Sequence, residues 1–212
     1  MTAPTPAPGV EPARPGPGAG RDVALVSVFA ALVVVLSLVP AIPVGVAGVP
    51  ITLQGLGIML AGLVLGPGRG VAAVGVFVAL GLAGLPIFAG GNAGLGVLAG
   101  PTAGYIVAWL PGTVVTGVVA VLALRRRRGR LPMLMLAAFL GGMVVTYLGG
   151  WLGLMLVAGL DPWAAFLGGV LPFLPLDGVK VVVAAFVAAS VHRAFPDLLA
   201  RRVPVSAPAA TS

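Results

Sequence analysis

The stretch Val23-Ala-Leu-Val-Ser-Val-Phe-Ala-Ala-Leu-Val-Val-Val-Leu-Ser-Leu-Val39 contains no charge, no Gly and no Pro. A helix that crosses a lipid bilayer needs about 20 predominantly apolar residues, and this run comes close to that length. The strands of a membrane barrel alternate apolar and polar residues, whereas Val33-Val-Val-Leu36 does not alternate. The stretch therefore predicts a membrane-spanning helix.

The composition of the whole chain has the same character. Of its 212 residues, 8% are charged and 59% are hydrophobic, and the mean hydropathy is +1.16. A soluble domain carries about 25% charged residues, so an ordinary soluble enzyme or DNA-binding domain is excluded in spite of the net charge of +7. The absence of Cys and the single His exclude disulfides, thiol chemistry and a Cys/His zinc site.

The distances between charged residues predict the number of helices. Residues 23–68, 70–124 and 131–160 form uncharged runs of 46, 55 and 30 residues. The first two runs are each long enough for two spans and the third for one, and a last span follows. We therefore predict an all-α integral membrane protein with six transmembrane helices. Their predicted positions are 23–39, 52–66, 71–85, 103–124, 132–158 and 176–193, with Gly- or Pro-containing outer loops at about 40–51, 86–102 and 159–175.

The arginines predict the orientation of these helices. If both termini are cytosolic, all 11 arginines lie in cytosolic tails and loops, as the positive-inside rule requires. Residues 1–20 are predicted to be a disordered cytosolic tail, 21–195 the six-helix membrane domain, and 196–212 a second cytosolic tail. The arginine-rich run 125–130 is interpreted as a topology anchor that also meets anionic membrane lipid. Nucleic-acid binding is not expected, because no surface with interleaved aromatic residues accompanies the run.

Asp177 and Lys180 are the two charges that topology does not explain. Their i, i+3 spacing places both on one face near the start of the last helix. An ionisable group at the centre of a membrane helix costs roughly 2.5–3.5 kcal/mol on insertion scales, so two of them need a reason. One interpretation is a self-neutralising ion pair, with Lys180 reaching outward and Asp177 capping the helix. The other is a polar ligand pocket that opens to the outside.

Asp161 has a simpler interpretation. It stands directly before Pro162, and a carboxylate at the N-cap followed by Pro at the first helical position is a common helix start. Trp163 is then interpreted as an anchor at the membrane interface.

Several longer motifs together resemble a known family, the biotin transporter family BioY. The resemblance runs over about residues 24–193, and it implies a substrate-binding S-component of an energy-coupling factor transporter in a bacterial plasma membrane. Such proteins have six helices, both termini inside, and bind the vitamin near the outer face. The motifs are Val49-Pro-Ile-Thr-Leu-Gln54, Leu60-Ala-Gly-Leu-Val-Leu-Gly66, Gly84-Leu-Pro-Ile-Phe-Ala-Gly-Gly91, Gly94-Leu-Gly-Val-Leu-Ala-Gly-Pro-Thr-Ala-Gly-Tyr105 and Pro172-Phe-Leu-Pro-Leu-Asp-Gly-Val-Lys180.

The resemblance also implies a binding site for biotin. Asp177 is assigned to the ureido N–H groups, and Lys180 to an oxygen of the ligand's carbonyl or carboxylate. The remaining assignments are Asn92 and the backbone of Gly90 and Gly91 from the second outer loop, side-chain hydrogen bonds from Gln54 and Tyr105, and apolar contacts from Phe88 and Ile51.

Partners follow from the same resemblance. It implies a transmembrane coupling subunit and two ATPase subunits, because the sequence itself contains no nucleotide-binding motif. Ser27 and Ala31 lie at i, i+4 on the first helix, with Ala24 and Ala30 nearby, and form the small-residue face that is expected to dock. No cofactor, metal or catalytic residue is expected.

Three alternatives remain open at this stage. The chain could be an S-component for a different vitamin, or a structural membrane protein without a ligand. It could also be an intramembrane enzyme, although Asp177 and Lys180 are the only ionisable candidates in the membrane region besides tyrosines.

Overall fold

A computed structural model describes residues 19–43, 49–125 and 129–199, and within these ranges the chain is mainly helical. The predicted tails 1–20 and 196–212 lie mostly outside the described residues. The first helix begins at Ala19, two residues before the predicted start of the membrane domain.

Seven α-helices follow one another along the described chain. Two-residue strands, β1 (Ile42–Pro43) and β2 (Pro50–Ile51), pair antiparallel in the loop after the first helix. A π-helix, Ala138–Val145, joins the fourth and fifth α-helices into one continuous stretch. The helices are α1 (Ala19–Ser37), α2 (Gln54–Leu82), α3 (Ala103–Leu124), α4 (Arg130–Ala137), α5 (Thr146–Leu156), α6 (Pro162–Gly169) and α7 (Leu174–Ala194).

Five helical stretches of the described chain are long and apolar enough to cross a membrane. They confirm the predicted class, an all-helical membrane protein. The third of them, α3, has the bounds that the sequence predicts, 103–124. The five stretches are Ala19–Ser37, Gln54–Leu82, Ala103–Leu124, Arg130–Leu156 and Pro162–Ala194.

Helix α2 is broken in its middle. Gly66 has φ 78° and ψ −174°, a conformation that glycine adopts readily, and Pro67 follows it. A Cβ atom on Gly70 would lie 2.7 Å from the Ala61 carbonyl oxygen, so the chain turns back on itself after the break. The predicted helices 52–66 and 71–85 correspond to the two parts of α2.

The prediction of a loop over residues 159–175 is wrong in part, because α6 and a 3₁₀ turn at Leu171–Phe173 occupy much of it. The predicted cap explains how α6 begins. Asp161 accepts hydrogen bonds from the backbone N–H groups of Trp163 at 3.0 Å and Ala164 at 3.1 Å. The predicted loop 86–102 likewise contains two short 3₁₀ helices, Ala89–Gly91 and Leu95–Ala99.

Glycines let α3 and α5 approach closely at one end of the bundle. A Cβ atom on Gly104 would lie 2.1 Å from the Gly149 carbonyl oxygen and 2.8 Å from the Gly153 Cα atom. The ring of Tyr105 packs over Gly150 on the same interface, where a Cβ atom would come within 2.1 Å of the ring. This close contact places the first turn of α3 beside the last turns of the 130–156 helix.

Candidate ligand-binding site

A cavity of about 740 Å³ lies at one end of the helices. Its walls come from the first turns of α2, α3 and α7, from the middle of the 130–156 helix, and from the loops on either side of α2. Its volume falls within the range of about 300–1,000 Å³ that is typical of small-molecule sites.

Lys180 and Asp177 form an ion pair in the wall of this cavity. The Lys180 ammonium donates to the Asp177 carboxylate and also to the backbone carbonyl of Thr52, at 2.6 Å. The two side chains are only 7% and 14% exposed. The ion pair that the sequence suggested is therefore present. The other two parts of that interpretation are not met, because Lys180 does not reach outward and Asp177 does not cap the start of α7. The Thr52 carbonyl holds the ammonium inside the protein.

Tyr147 completes this polar group, and sequence reasoning missed it. Its hydroxyl donates to Asp177 Oδ2 at 2.6 Å. Tyr147 is one of only two tyrosines in the chain and lies in a predicted membrane helix. A phenol hydroxyl buried in an apolar environment usually finds a partner, so this was the signal that could have identified it.

Gln54, the first residue of α2, brings a buried amide to the cavity. The residue is 2% exposed and lies in the cavity wall. Its Nε2 atom has no hydrogen-bond partner among the described residues. A buried donor without a partner costs about 1–3 kcal/mol, so this amide is a donor available to a bound molecule.

The other predicted polar residues differ in what they offer. Tyr105 lines the cavity, but its hydroxyl proton is used within the protein, in a 2.5 Å hydrogen bond to the Gly169 carbonyl. Asn92 also lines the cavity, and its Nδ2 atom donates to the Ala89 carbonyl at 2.7 Å. That bond leaves the side-chain oxygen of Asn92 as an acceptor.

Of the two predicted loop glycines, Gly90 lines the cavity and Gly91 does not. The N–H group of Gly91 donates to the Phe88 carbonyl at 2.9 Å. The N–H group of Gly91 thus closes the loop, and its predicted contact with a ligand stays a prediction. Ile51 is also absent from the wall.

Phe88 forms part of an aromatic wall of the cavity. It packs edge-on against Phe77, with ring centroids 5.5 Å apart, and lies 6.4 Å from the Trp109 ring. Trp109 itself lines the cavity and was not predicted. Other apolar wall residues that sequence reasoning missed are Ile58, Val97, Ile106 and Phe173.

The described arginines lie away from the cavity. Each stands at the end of a helix that is remote from the cavity, or at the break in α2, and none lines its wall. The described arginines are Arg21, Arg69, Arg125, Arg130 and Arg193, while residues 126–128 of the arginine-rich run lie outside the described part of the chain.

The site thus presents a carboxylate, an ammonium and a free amide donor within a mostly apolar cavity. This arrangement suits a small molecule that carries both N–H donors and oxygen acceptors on an apolar frame. Comparison with known proteins supports a family assignment, because the family model described as the BioY family matches residues 11–197. The chain belongs to the BioY family.

Several relatives in this family are similar over nearly their whole length. The chain is 47% identical over 194 residues to the biotin transporter BioY of Rhodobacter capsulatus, covering 86% of this chain and 98% of the relative. It is 43% identical over 184 residues to the biotin transporter BioY of Rhizobium etli, covering 85% and 98%.

A solved structure has the same fold. The crystal structure of the S-component for biotin from an ECF-type ABC transporter superimposes with a TM-score of 0.79 at 28% identity. The match covers 85% of this chain and 95% of that chain. The similarity therefore extends across the BioY fold.

Proposed function

We propose that this chain is the biotin-binding S-component of an energy-coupling factor transporter. The relatives named as biotin transporters and the structure of a biotin S-component support this function. The observation that carries it is the buried Asp177–Lys180 pair in the wall of a cavity of about 740 Å³, which is also lined by a Gln54 amide that has no hydrogen-bond partner among the described residues. The proposed role is substrate capture and not catalysis.

The ion pair is suited to the polar head of biotin. A carboxylate has about four lone-pair sites, and Asp177 uses two of them for Tyr147 and Lys180. The remaining sites accept the ureido N–H groups of biotin. Lys180 and the Nε2 atom of Gln54 donate to ligand oxygens.

The rest of the cavity is suited to the body of the ligand. Asn92 and the backbone of Gly90 contact the ligand from the loop that follows α2, and Tyr105 contributes its ring and hydroxyl oxygen. The apolar ring of biotin lies against Phe88 and Trp109, both in the cavity wall.

The cavity faces the outside of a bacterial plasma membrane in this proposal. In this proposal the parts of α2 before and after the break at Gly66 are two separate spans, so the chain crosses the membrane six times. The described arginines lie at the end of the helices opposite the cavity, which supports this arrangement. The positive-inside rule then puts the arginine end and both termini in the cytosol.

The proposed docking surface for the coupling subunit lies on α1. Ser27 and Ala31 are both exposed on one face of this helix, and Ala24 continues the same face. Ala30 does not belong to it, because Ala30 is 4% exposed and packs inward. A face of small residues allows close helix contact, and the two ATPases are proposed to act through the coupling subunit.

Equilibrium binding of radiolabelled biotin to the purified protein tests the function. The wild-type protein is expected to show saturable binding at one site, and Asp177→Asn is expected to weaken it by at least about a hundredfold, since the carboxylate meets the ureido group. Asp161→Asn is the matched control, because Asn caps a helix as well as Asp and the residue is outside the cavity. Absence of saturable biotin binding, or tighter binding of another vitamin, would contradict the proposal.

A further inference from the structure

Residues 88–92, in the loop after α2, form a compact turn in the cavity wall. The Phe88 N–H group donates to the Asn92 carbonyl at 3.1 Å, and the Gly91 N–H group donates back to the Phe88 carbonyl at 2.9 Å. The Asn92 side chain closes the turn through its bond to the Ala89 carbonyl. These bonds fix the shape of the turn, but they do not fix its place relative to the helices. The members of the turn that line the cavity are Phe88, Ala89, Gly90 and Asn92.

Ser37, the last residue of α1, holds the near end of this turn. Its hydroxyl donates to the carbonyl oxygen of Ile87, the residue directly before the turn. Ser37 is 3% exposed and Ile87 is 7% exposed, so both partners of this hydrogen bond are buried. Ser37 does not line the cavity itself. Its hydroxyl therefore reaches the ligand site only through the loop.

The far end of the turn is held by other means. The Gly94 N–H group donates to the Gly81 carbonyl near the end of α2, at 2.8 Å. The ring of Phe88 packs so closely over Gly81 that a Cβ atom there would overlap it. Along residues 87–94, and among the described residues, the Ser37 hydroxyl makes the one side-chain hydrogen bond to another element.

We propose that Ser37 is a positioning residue for ligand binding. It holds the Ile87 carbonyl, and through it the turn 88–92, so that Phe88 and Asn92 stay within reach of the ligand. This inference rests on the proposed function, because the ligand is taken to be biotin. Without the hydroxyl, the Ile87 carbonyl is a buried acceptor that lacks a donor, and an outward movement of the turn lets water replace it. The bound ligand is then released more often, while the rate of its arrival changes little.

Hydrogen exchange of the backbone amides tests the position of the turn without any ligand. In Ser37→Ala, peptides that cover residues 88–94 should exchange faster than in the wild type, and peptides from α7 should not change. Ser190→Ala is the matched control, because Ser190 is exposed on α7, lies outside the cavity, and donates to the carbonyl four residues before it. Unchanged exchange over 88–94 in Ser37→Ala would overturn the proposal, whatever the ligand is.

The kinetics of radiolabelled biotin test the consequence for binding. Ser37→Ala should dissociate from biotin about fivefold faster than the wild type, with the association rate constant changed by less than about twofold. Ser190→Ala should match the wild type in both rates. A dissociation rate in Ser37→Ala equal to that of the wild type would overturn the proposal. If the wild-type protein bound no biotin, the proposed function would fail, and the exchange data would decide the role of Ser37.

A pair of double variants separates positioning from a general loss of stability. Combined with Asn92→Ala, which already weakens the turn, Ser37→Ala should cost clearly less affinity than it does alone. Combined with Gln54→Leu, on α2 and outside the turn, it should cost its full factor. The same full factor in both backgrounds would show that Ser37 does not act through the turn.

Discussion

Two ion pairs of the same kind, each a basic side chain with an aspartate, lie in very different surroundings. Lys180 and Asp177 are 7% and 14% exposed and share one turn of α7. Arg69 and Asp22, 3.4 Å apart, are 26% and 58% exposed and connect the break in α2 to the start of α1. Breaking a buried pair typically costs 3–5 kcal/mol, whereas an exposed pair contributes about 0–1 kcal/mol. The burial of a pair, more than the fact that its charges are paired, therefore decides how much stability is lost when the pair is broken.

The buried pair is not the cheapest way to stabilise this end of the protein. Two well-packed apolar residues are often as stable as a buried ion pair, or more stable. The pair is therefore better explained by what its free lone pairs and N–H groups can bind than by the stability it adds. Neither Arg69 nor Asp22 lines the binding cavity, so the exposed pair needs no such explanation.

The largest expected effect comes from breaking the buried pair on one side. Lys180→Met leaves the Asp177 carboxylate without its cation, and we expect the free energy of unfolding to fall by about 3–5 kcal/mol. Adding Asp177→Asn removes the unpaired charge and should restore most of that loss. Unlike the wild-type protein, neither the single nor the double variant should bind biotin. Thermal unfolding and biotin titration of the two proteins measure this.

The double variant decides between the two interpretations of the pair. If it bound biotin like the wild type, the pair would be structural only. If it stayed as unstable as the single variant, the stabilising partner of Asp177 would have to be Tyr147 and not Lys180.

Gln54→Leu should shift stability and binding in opposite directions. Leu removes a buried amide nitrogen that has no partner, so the free energy of unfolding should rise by up to about 1–3 kcal/mol. The same change removes a donor to biotin and should weaken its binding by about tenfold. Calorimetric titration and thermal unfolding report the two quantities separately.

Thr113→Val is the matched control for Gln54. Thr113 is also buried, but its hydroxyl donates to the Trp109 carbonyl at 2.7 Å and it does not line the cavity. Its loss should lower stability and leave biotin binding unchanged. A drop in stability for Gln54→Leu as well would show that the amide is satisfied in solution.

Tyr147→Phe should have a moderate effect that is specific to binding. The change removes the hydroxyl that donates to Asp177 and leaves the ring, and a hydrogen bond to a charged group is worth about 1.5–3 kcal/mol. A less firmly oriented Asp177 should bind biotin about tenfold more weakly. The control is the same change made in the Asp177→Asn protein, where the hydroxyl no longer meets a carboxylate and its loss should lower biotin affinity little further. Equal further losses of biotin affinity in the wild-type and Asp177→Asn backgrounds would mean that Tyr147 does not act through Asp177.

The sequence was sufficient for most of the long helices and for the charged pair. The Gly- and Pro-rich stretch before residue 103 and the arginines from 125 predicted the bounds of α3, and the break at Gly66 falls where the predicted helix 52–66 ends, beside Arg69. Asp177 and Lys180 were identifiable because so few charges stand in the apolar part of the chain. Their spacing on one helix is a local property that a sequence displays directly.

The missed parts depend on contacts between distant segments. Tyr147 meets Asp177 from 30 residues away, and only the packing of the 130–156 helix against α7 brings them together. The Thr52 carbonyl that holds Lys180 is a backbone group, so no residue type signals it. Helix α6 was taken as loop because its cap, Asp161-Pro162, was recognised but the helix that it starts was not extended.

The smallest expected effect belongs to the exposed pair. Asp22→Asn should lower the free energy of unfolding by less than about 1 kcal/mol, and salt should reduce this further by screening. Arg69→Gln should cost more, because Arg69 also donates to the Leu198 carbonyl, which Asp22 does not contact. Thermal unfolding at low and high salt measures both variants. Neither should change biotin affinity, since the pair lies at the end of the bundle remote from the cavity. A loss of affinity in Asp22→Asn would mean that the two ends are coupled through α1 and α2, and that burial alone does not separate their roles.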